Sequence, residues 1–344
     1  MKNLQNYLFE LCGEHLPSGF ESAAVGVKDL LAPLVDECYS DKAGNVIGYR
    51  KAALPGAKKL MLDAHLDEIG LMVTKIDENG FLHFTNLAGF SSTCLPAAMV
   101  TVKGVRPLPG IVATLPPHLL TAEEQKQPLP MNKLVIDIGY SAERAKELVR
   151  VGDPIVLRQS CVDLLNNRVS GKALDNRAGV AVLLDALSTL QKMPLPMDLY
   201  VVFSAGEEFG GFGVRHAAWS IEPDEALVVD VTHGVSANTP KTKAFELGSG
   251  AAIGISPVLN GEVTAQLFAL AEQYRIPYTR EAMSGRTGTN SDGIAVTKKG
   301  VRTGLVSIPL QYMHSGCEVI DLGDMKACSQ LISRYIHRGG AKYE

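Results

Sequence analysis

The chain has 344 residues, 46% of them apolar and 20% charged, which supplies a sizeable core for roughly two domains and excludes global disorder. With 33 Lys and Arg against 37 Asp and Glu the formal net charge is -4, so there is no general attraction to nucleic acid. The N-terminus reaches Glu10 and Glu14 without the core of an export signal, and no apolar run matches a bilayer span, so a cytoplasmic protein with no membrane partner is expected.

Leu4, Leu8 and Leu11 recur at helical spacing, Pro17-Ser18-Gly19 breaks the run, and a second helix is predicted over residues 23–34. A strand follows at 45–49. Residues 59–64 form a short apolar run ending in His65-Leu66-Asp67-Glu68-Ile69-Gly70. That is the pattern of a core strand delivering polar groups to its C-terminal end, where open α/β sheets place ligands. From about residue 71 to 157 the texture changes to short strand candidates at 70–76, 81–85, 98–103, 110–113 and 134–138, separated by Gly, Pro and Asn. One short helix at 141–148 lies among them, with Ser141 as its predicted cap and Arg144 where a capping box would want Glu. This stretch reads as a small all-β module, residues 70–162, inserted into an α/β domain formed by residues 1–69 and 163–344.

After Leu164 helices and strands alternate again: a helix at 176–191, a strand at 199–204, a helix near 214–219 and a strand at 225–231. A helix at 259–274, a strand at 278–281, a short helix at 292–297 and a strand at 304–309 follow, and an amphipathic helix at 322–337 closes the chain. The alternation implies a layered α/β fold with a mostly parallel or mixed sheet.

The chemistry-bearing residues gather at the ends of the predicted strands. His65 and Asp67 are two apart, so in extended backbone they share a side, one able to ligate or act as base while the other orients it. A buried histidine held by a carboxylate explains the pair equally well. In Ala173-Leu174-Asp175-Asn176-Arg177, either Asp175 or Asn176 can simply cap the next helix. The apolar run 199–203 discharges into Glu207-Glu208, and adjacent carboxylates at the end of a buried strand are costly unless something positive meets them. Asp230 is embedded in an apolar run, and His314 follows the strand at 304–309. Such nitrogen and oxygen donors suit zinc, cobalt or manganese. Two divalent cations balance Asp175, Glu208, Asp230 and one hydroxide, whereas a single cation leaves the group strongly negative. The six cysteines include no C-x-x-C pair, so free, mostly buried thiols are expected rather than a redox dithiol. No phosphate loop, dinucleotide fingerprint or Gly-x-Ser-x-Gly elbow is present.

Together His65-Leu66-Asp67-Glu68-Ile69-Gly70, Ala173–Arg177, Glu207-Glu208, Val229-Asp230-Val231-Thr232 and Tyr312-Met313-His314-Ser315 resemble the tetrahedral (TET) metallo-aminopeptidases, the glutamyl or deblocking aminopeptidase group. The resemblance is collinear from the first helices to Glu318. It implies a dinuclear metallopeptidase domain interrupted by a β domain used for dimerisation and assembly, twelve subunits forming a tetrahedral homododecamer through dimers, and short peptides with a free N-terminus as substrates. It implies two divalent metal ions per subunit, Zn2+ or Co2+, with Asp175 bridging them, His65 and Asp230 on one, and Glu208 and His314 on the other. A water between the metals would be activated by Glu207 as general base, and Asp67 would orient His65. A related dinuclear deacylase or aminoacylase is the alternative activity, and a non-enzymatic scaffold the alternative class. Ser204-Ala205-Gly206 and Phe209–Gly213 depart from the usual family text. Asn290 replaces a carboxylate, which implies a weaker preference for a basic first residue. Pro116-Pro117-His118-Leu119-Leu120 resembles the family's interface segment.

Overall fold

A computed structural model describes residues 3–21, 24–237, 239–240 and 244–341. Ala23, where the second helix is expected to begin, lies outside them. In chain order the elements open with α1 (Leu4–Cys12), α2 (Val25–Leu31), β1 (Glu37–Ser40), β2 (Val46–Arg50) and β3 (Lys59–His65). Then come β4 (Gly70–Ile76), β5 (Leu82–Leu87), β6 (Met99–Lys103), β7 (Pro107–Ala113), β8 (Val135–Asp137), α3 (Ala142–Leu148) and β9 (Pro154–Leu157). The chain continues through β10 (Val162–Leu164), β11 (Arg168–Gly171), α4 (Leu174–Leu190), β12 (Asp198–Ser204), α5 (Phe212–Ile221) and β13 (Glu225–His233). It ends with β14 (Ala251–Ile255), α6 (Gly261–Tyr274), β15 (Tyr278–Ala282), α7 (Ser291–Ala295), β16 (Arg302–Gln311), β17 (Glu318–Asp321) and α8 (Leu322–Arg338).

Two β structures share these strands. An 11-stranded sheet runs β1-β2-β12-β3-β13-β16-β17-β11-β10, with β14 and β15 branching from β16. Its centre is parallel, β12 on β3, β3 on β13 and β13 on β16, and its flanks are antiparallel. The second structure is a closed six-stranded barrel, β4-β5-β8-β7-β6-β9. The fold is therefore mixed α/β with a separate all-β barrel.

The period-2 alternation of strand side chains makes the sheet the middle of three layers. Leu60, Leu62, Leu199, Val201, Phe203, Leu227 and Val229 point into one apolar cluster, with residues of α1, α4 and α8. Met61, Val202, Ala226, Val228 and Leu305 point the other way, onto Val214 and Ala217 of α5 and Ile294 of α7. The barrel has a third cluster of its own, built on residues such as Leu71, Val100, Ile136 and Ile155. Continuous apolar strings such as Leu199–Phe203 are what a strand buried on both faces needs.

The helix starts explain some local choices. Asn260 caps α6 by accepting from the Glu262 and Val263 amides, and Asp321 caps α8 by accepting from Gly323. The expected cap at Ser141 is not made: its side chain accepts nothing from the first turn of α3. No helix among the described residues is long and apolar enough to cross a membrane.

Candidate metal centre

On the α5/α7 face of the sheet, four neighbouring strands change from apolar to polar toward their C-terminal ends, β3 one step before the others because Asp63 lies opposite Val202 and Val228. Two residues beyond Val202, Met61, Val228 and Leu305 stand Ser204, Asp63, Asp230 and Ser307. Ser204 lies opposite His65, and Asp230 opposite Ser307. Pairing of β3 with β13 stops at Asp63 and Val228, two residues short of His65 and Asp230. The parallel strands therefore deliver His65 and Asp230, and the turns beyond them deliver Asp67, Glu207, Glu208 and His314, to one crevice at their C-terminal ends.

Asp175 comes from the start of α4. Its neighbour Asn176 settles which residue caps: the Asn176 Oδ1 accepts from the Gly179 amide at 3.0 Å and its Nδ2 donates to the Val229 carbonyl at 2.8 Å. Asp175 is thereby free to face the crevice. Its Oδ1 is 3.0 Å from the His65 Nε2 and its Oδ2 is 3.5 Å from the His314 Nε2. His65, Asp175 and Asp230 bring ligand atoms within 4.8 Å of one another, and so do Asp175, Glu208 and His314. Asp175 is common to both groups. Glu207 borders them, its Oε2 4.0 Å from the His65 Nε2.

These groups fit cations by their donor chemistry. The His65 Nδ1 is held between the Asp67 carbonyl at 3.2 Å and the Asp67 Oδ1 at 3.4 Å. Its Nε2 is thus turned to Asp175 and Asp230, at 3.0 and 3.8 Å, where a neutral imidazole would set a lone pair against carboxylate oxygens. Among themselves the residues resolve this by protonation. Burial would lower the His65 imidazole, but its hydrogen bonds to Asp175 and Asp67 carry it well above its usual range. Hydrogen bonds to Asp175 and Glu208 push His314 up to about 11. Burial would raise Asp175, yet its hydrogen bonds to His314 and His65 hold it well below the usual carboxylate range. Burial raises Asp230 and Glu208, and Glu207 to about 7. Two imidazole nitrogens and several carboxylate oxygens without a thiolate form the donor set of a zinc, cobalt or manganese site.

The surrounding shell holds residues that the sequence reading did not assign. Asp67, 0% exposed, accepts from the Glu207 amide at 3.1 Å, the Glu208 amide at 3.2 Å and the Ser18 hydroxyl. The Pro17-Ser18-Gly19 break is thus a tie into the site. Glu318, 1% exposed, accepts from the Asp175 amide at 3.1 Å and the His314 amide at 3.0 Å, gripping both ends of the second group. The legible signal for it was a carboxylate four residues after His314 opening an apolar strand. Glu68, buried beside Asp67, binds the Lys172 Nζ at 2.6 Å. His314 has φ +60, a strained value for a residue with a side chain, and the Glu318 contact holds it there.

The departures from the family text also have structural accounts. Gly206 has φ +66, and a Cβ there would fall 1.9 Å from the Phe212 ring. The glycine and the phenylalanine are therefore a matched pair. Asn290, 3% exposed, spends its amide on Asp63 at 2.9 Å and Ser204 at 2.8 Å. Its neutrality serves this buried contact, where burial already raises Asp63 to about 6. The Asn290→Asp substitution sets two acceptors face to face and is expected to cost about 1–3 kcal/mol. Denaturant unfolding checks this, and an unchanged midpoint would contradict it. The crevice opens into a cavity of about 1520 Å³ whose walls include Trp219, Phe245, Val258 and Met283.

Comparison with known proteins follows this geometry. Residues 44–331 match the family model described as M42 glutamyl aminopeptidase. A lysyl aminopeptidase of Pyrococcus furiosus is 33% identical, covering 90% of this chain and 89% of that protein. The structure of an aminopeptidase from the archaeon Desulfurococcus kamchatkensis superposes with TM-score 0.89 at 35% identity, over 97% of this chain and 94% of that one. The TET1 peptidase of Pyrococcus horikoshii, described as assembling into a tetrahedron or a large octahedral shell, gives TM-score 0.84 at 27% identity, over 97% and 99%. With a family model spanning most of its length and a relative 33% identical over 90% of it, the chain belongs to the M42 family of glutamyl aminopeptidases.

Proposed function

We propose that the protein is a dinuclear metallo-aminopeptidase that removes the first residue of short peptides with a free N-terminus. The observation that carries this reading is the placement of Asp175, whose two oxygens face separate histidines in two ligand groups. His65 and Asp230 would hold one divalent cation and Glu208 and His314 the other, with Asp175 shared. Zn2+ or Co2+ suits these donors.

When bound, such cations supply Lewis acidity to the scissile carbonyl and make an attacking water more acidic. Glu207 takes the water proton and returns it to the leaving nitrogen as general base and then acid. Asp67 positions both participants, since it holds the His65 ring and the turn that carries Glu207. A free α-ammonium is drawn to the carboxylates of the centre, which sets the exopeptidase register. The cavity beyond accommodates the first side chain and a short peptide.

The division into residues 1–69 with 163–344 and residues 70–162 belongs to the same proposal, supported by the barrel strands and their separate core. Assembly of this cytoplasmic enzyme into a tetrahedral homododecamer through dimers would use the barrel module. Leu115 and Leu119, 57% and 62% exposed around the Pro116–Leu120 segment, support that role.

The barrel segment also reaches the centre at Gly89, where a Cβ would lie 2.6 Å from the His314 Nδ1. Gly89→Ala should tilt that ring and weaken the Glu208–His314 site by about 10–100-fold, the range for residues that orient a ligand. Metal titration by calorimetry reads this, and wild-type affinity at both sites would contradict it. The activity itself is tested with aminoacyl and N-blocked peptides, each in zinc, cobalt and manganese. Cleavage restricted to free amino termini is expected. Turnover of N-acyl amino acids instead would transfer the assignment to a deacylase or aminoacylase, and no turnover with any metal would leave a scaffold.

A further inference from the structure

Asp175, common to both ligand groups, opens α4 one short turn after β11. Separate contacts tie this turn to the segments that carry the other ligands. The Asn176 amide reaches the Val229 carbonyl beside Asp230, and the Glu318 carboxylate accepts from the Asp175 and His314 amides. The tie toward His65 is an ion pair instead. Lys172, three residues before Asp175, meets Glu68, three residues after His65, at 2.6 Å, and both residues are 2% exposed.

Glu68 is held at every polar atom. Its Oε1 accepts from the Leu16 amide at 3.0 Å while its Oε2 accepts from the Lys172 Nζ. Its own amide donates to the Leu16 carbonyl at 3.0 Å, and its carbonyl accepts from the Ser18 amide at 3.1 Å. The Lys172 Nζ also donates to the Glu14 carbonyl at 3.2 Å. This loop returns to the site, because the Ser18 hydroxyl donates to Asp67, whose Oδ1 lies 3.4 Å from the His65 Nδ1. The ion pair therefore joins the turn of Asp175 to the loop and strand end that hold the His65 ring. Stability does not account for it, since a buried ion pair gains little over apolar packing of the same volume. Arg177, 0% exposed, brings a second cation to 3.9 Å from the Glu68 Oε1.

We propose that Lys172 and Glu68 are positioning residues that fix Asp175 against His65 and thereby set the affinity of the cation site formed by His65, Asp175 and Asp230. The proposal rests on the metal reading given above. Neither residue belongs to a ligand group. The Glu208–His314 site depends on them less, because Glu318 grips Asp175 and His314 directly and Asp67 holds the Glu208 amide. Loss of the ion pair loosens one site and spares the other, a selectivity that general destabilisation does not produce.

The test is calorimetric titration of cobalt into the full-length metal-free protein, with anomalous diffraction at limiting cobalt to show which site fills. Lys172→Met is the first variant, because Arg177 remains beside Glu68. The His65–Asp175–Asp230 site is expected to weaken by about 10–100-fold, the range for residues that orient a ligand, with the second site unchanged. Lys172→Arg keeps the charge and a donor, and should restore much of the loss. If Lys172→Met does not fold, Glu68→Gln retains the volume and an acceptor for Leu16, and the same selective loss is expected. Wild-type affinity at both sites in the folded variant would overturn the proposal, as would equal losses at both sites with a lowered melting temperature. A wild type that takes up no cobalt would remove the metal reading, and the proposal with it.

Discussion

Replacing Glu207 by Gln is expected to lower turnover by about 10²–10⁴-fold, the usual contribution of a general base, while metal content stays at the wild-type level. The reason is position. Glu207 belongs to neither ligand group, yet its Oε2 stands 4.0 Å from the His65 Nε2 at the edge of both. Its backbone is pinned by the Asp67 carboxylate, so the side chain has a fixed origin and a short reach. Glutamine keeps the size and the backbone contact and loses only the capacity to take a proton. Steady-state kinetics with metal analysis on the same sample separates the two effects. Wild-type kcat in the variant would remove Glu207 from the mechanism, and lost metal would make it a ligand.

Asp175→Asn is expected to have the opposite signature, lost occupancy of both sites. Each Asp175 oxygen addresses a different histidine, and the carboxylate is 7% exposed. An amide offers one weakly donating oxygen and turns N–H groups toward the other site, a poor partner for a cation in a buried place. The loss in affinity should exceed the ~10–100-fold seen for residues that merely orient a ligand. Asp230→Asn and Glu208→Gln should each impair one site. Metal-binding calorimetry that found two ions at wild-type affinity in Asp175→Asn would contradict the shared-ligand reading.

Much of the layered core was legible because buried parallel strands carry uninterrupted apolar strings, as at Leu199–Phe203, and end in polar residues that have no place in a core. Strands that lack that contrast were not. β14 is Ala-Ala-Ile-Gly-Ile directly after Gly250, β17 opens on Glu318, and β10 has three exposed residues. β14 and β17 are held by pairing with strands distant in sequence, which local periodicity cannot register, and β10 is an exposed edge strand in a short hairpin with β11. The first-layer candidates could be named because each ends a strand or opens a helix. Supports other than Asp67 were harder to name, since Ser18 and Lys172 act on Asp67 and Glu68 across long sequence separations, and Glu318 stands near His314 in sequence but also reaches the distant Asp175 amide. Asp175 and Asn176 show the limit within one motif, where both had cap chemistry and only the fold assigned the cap to Asn176.

The most direct measurement of the central claim is anomalous diffraction from crystals grown with zinc or cobalt. Two ions per chain are predicted, one among His65, Asp175 and Asp230 and one among Asp175, Glu208 and His314, with Glu207 binding neither. A single ion, or ions placed away from Asp175, would contradict the account.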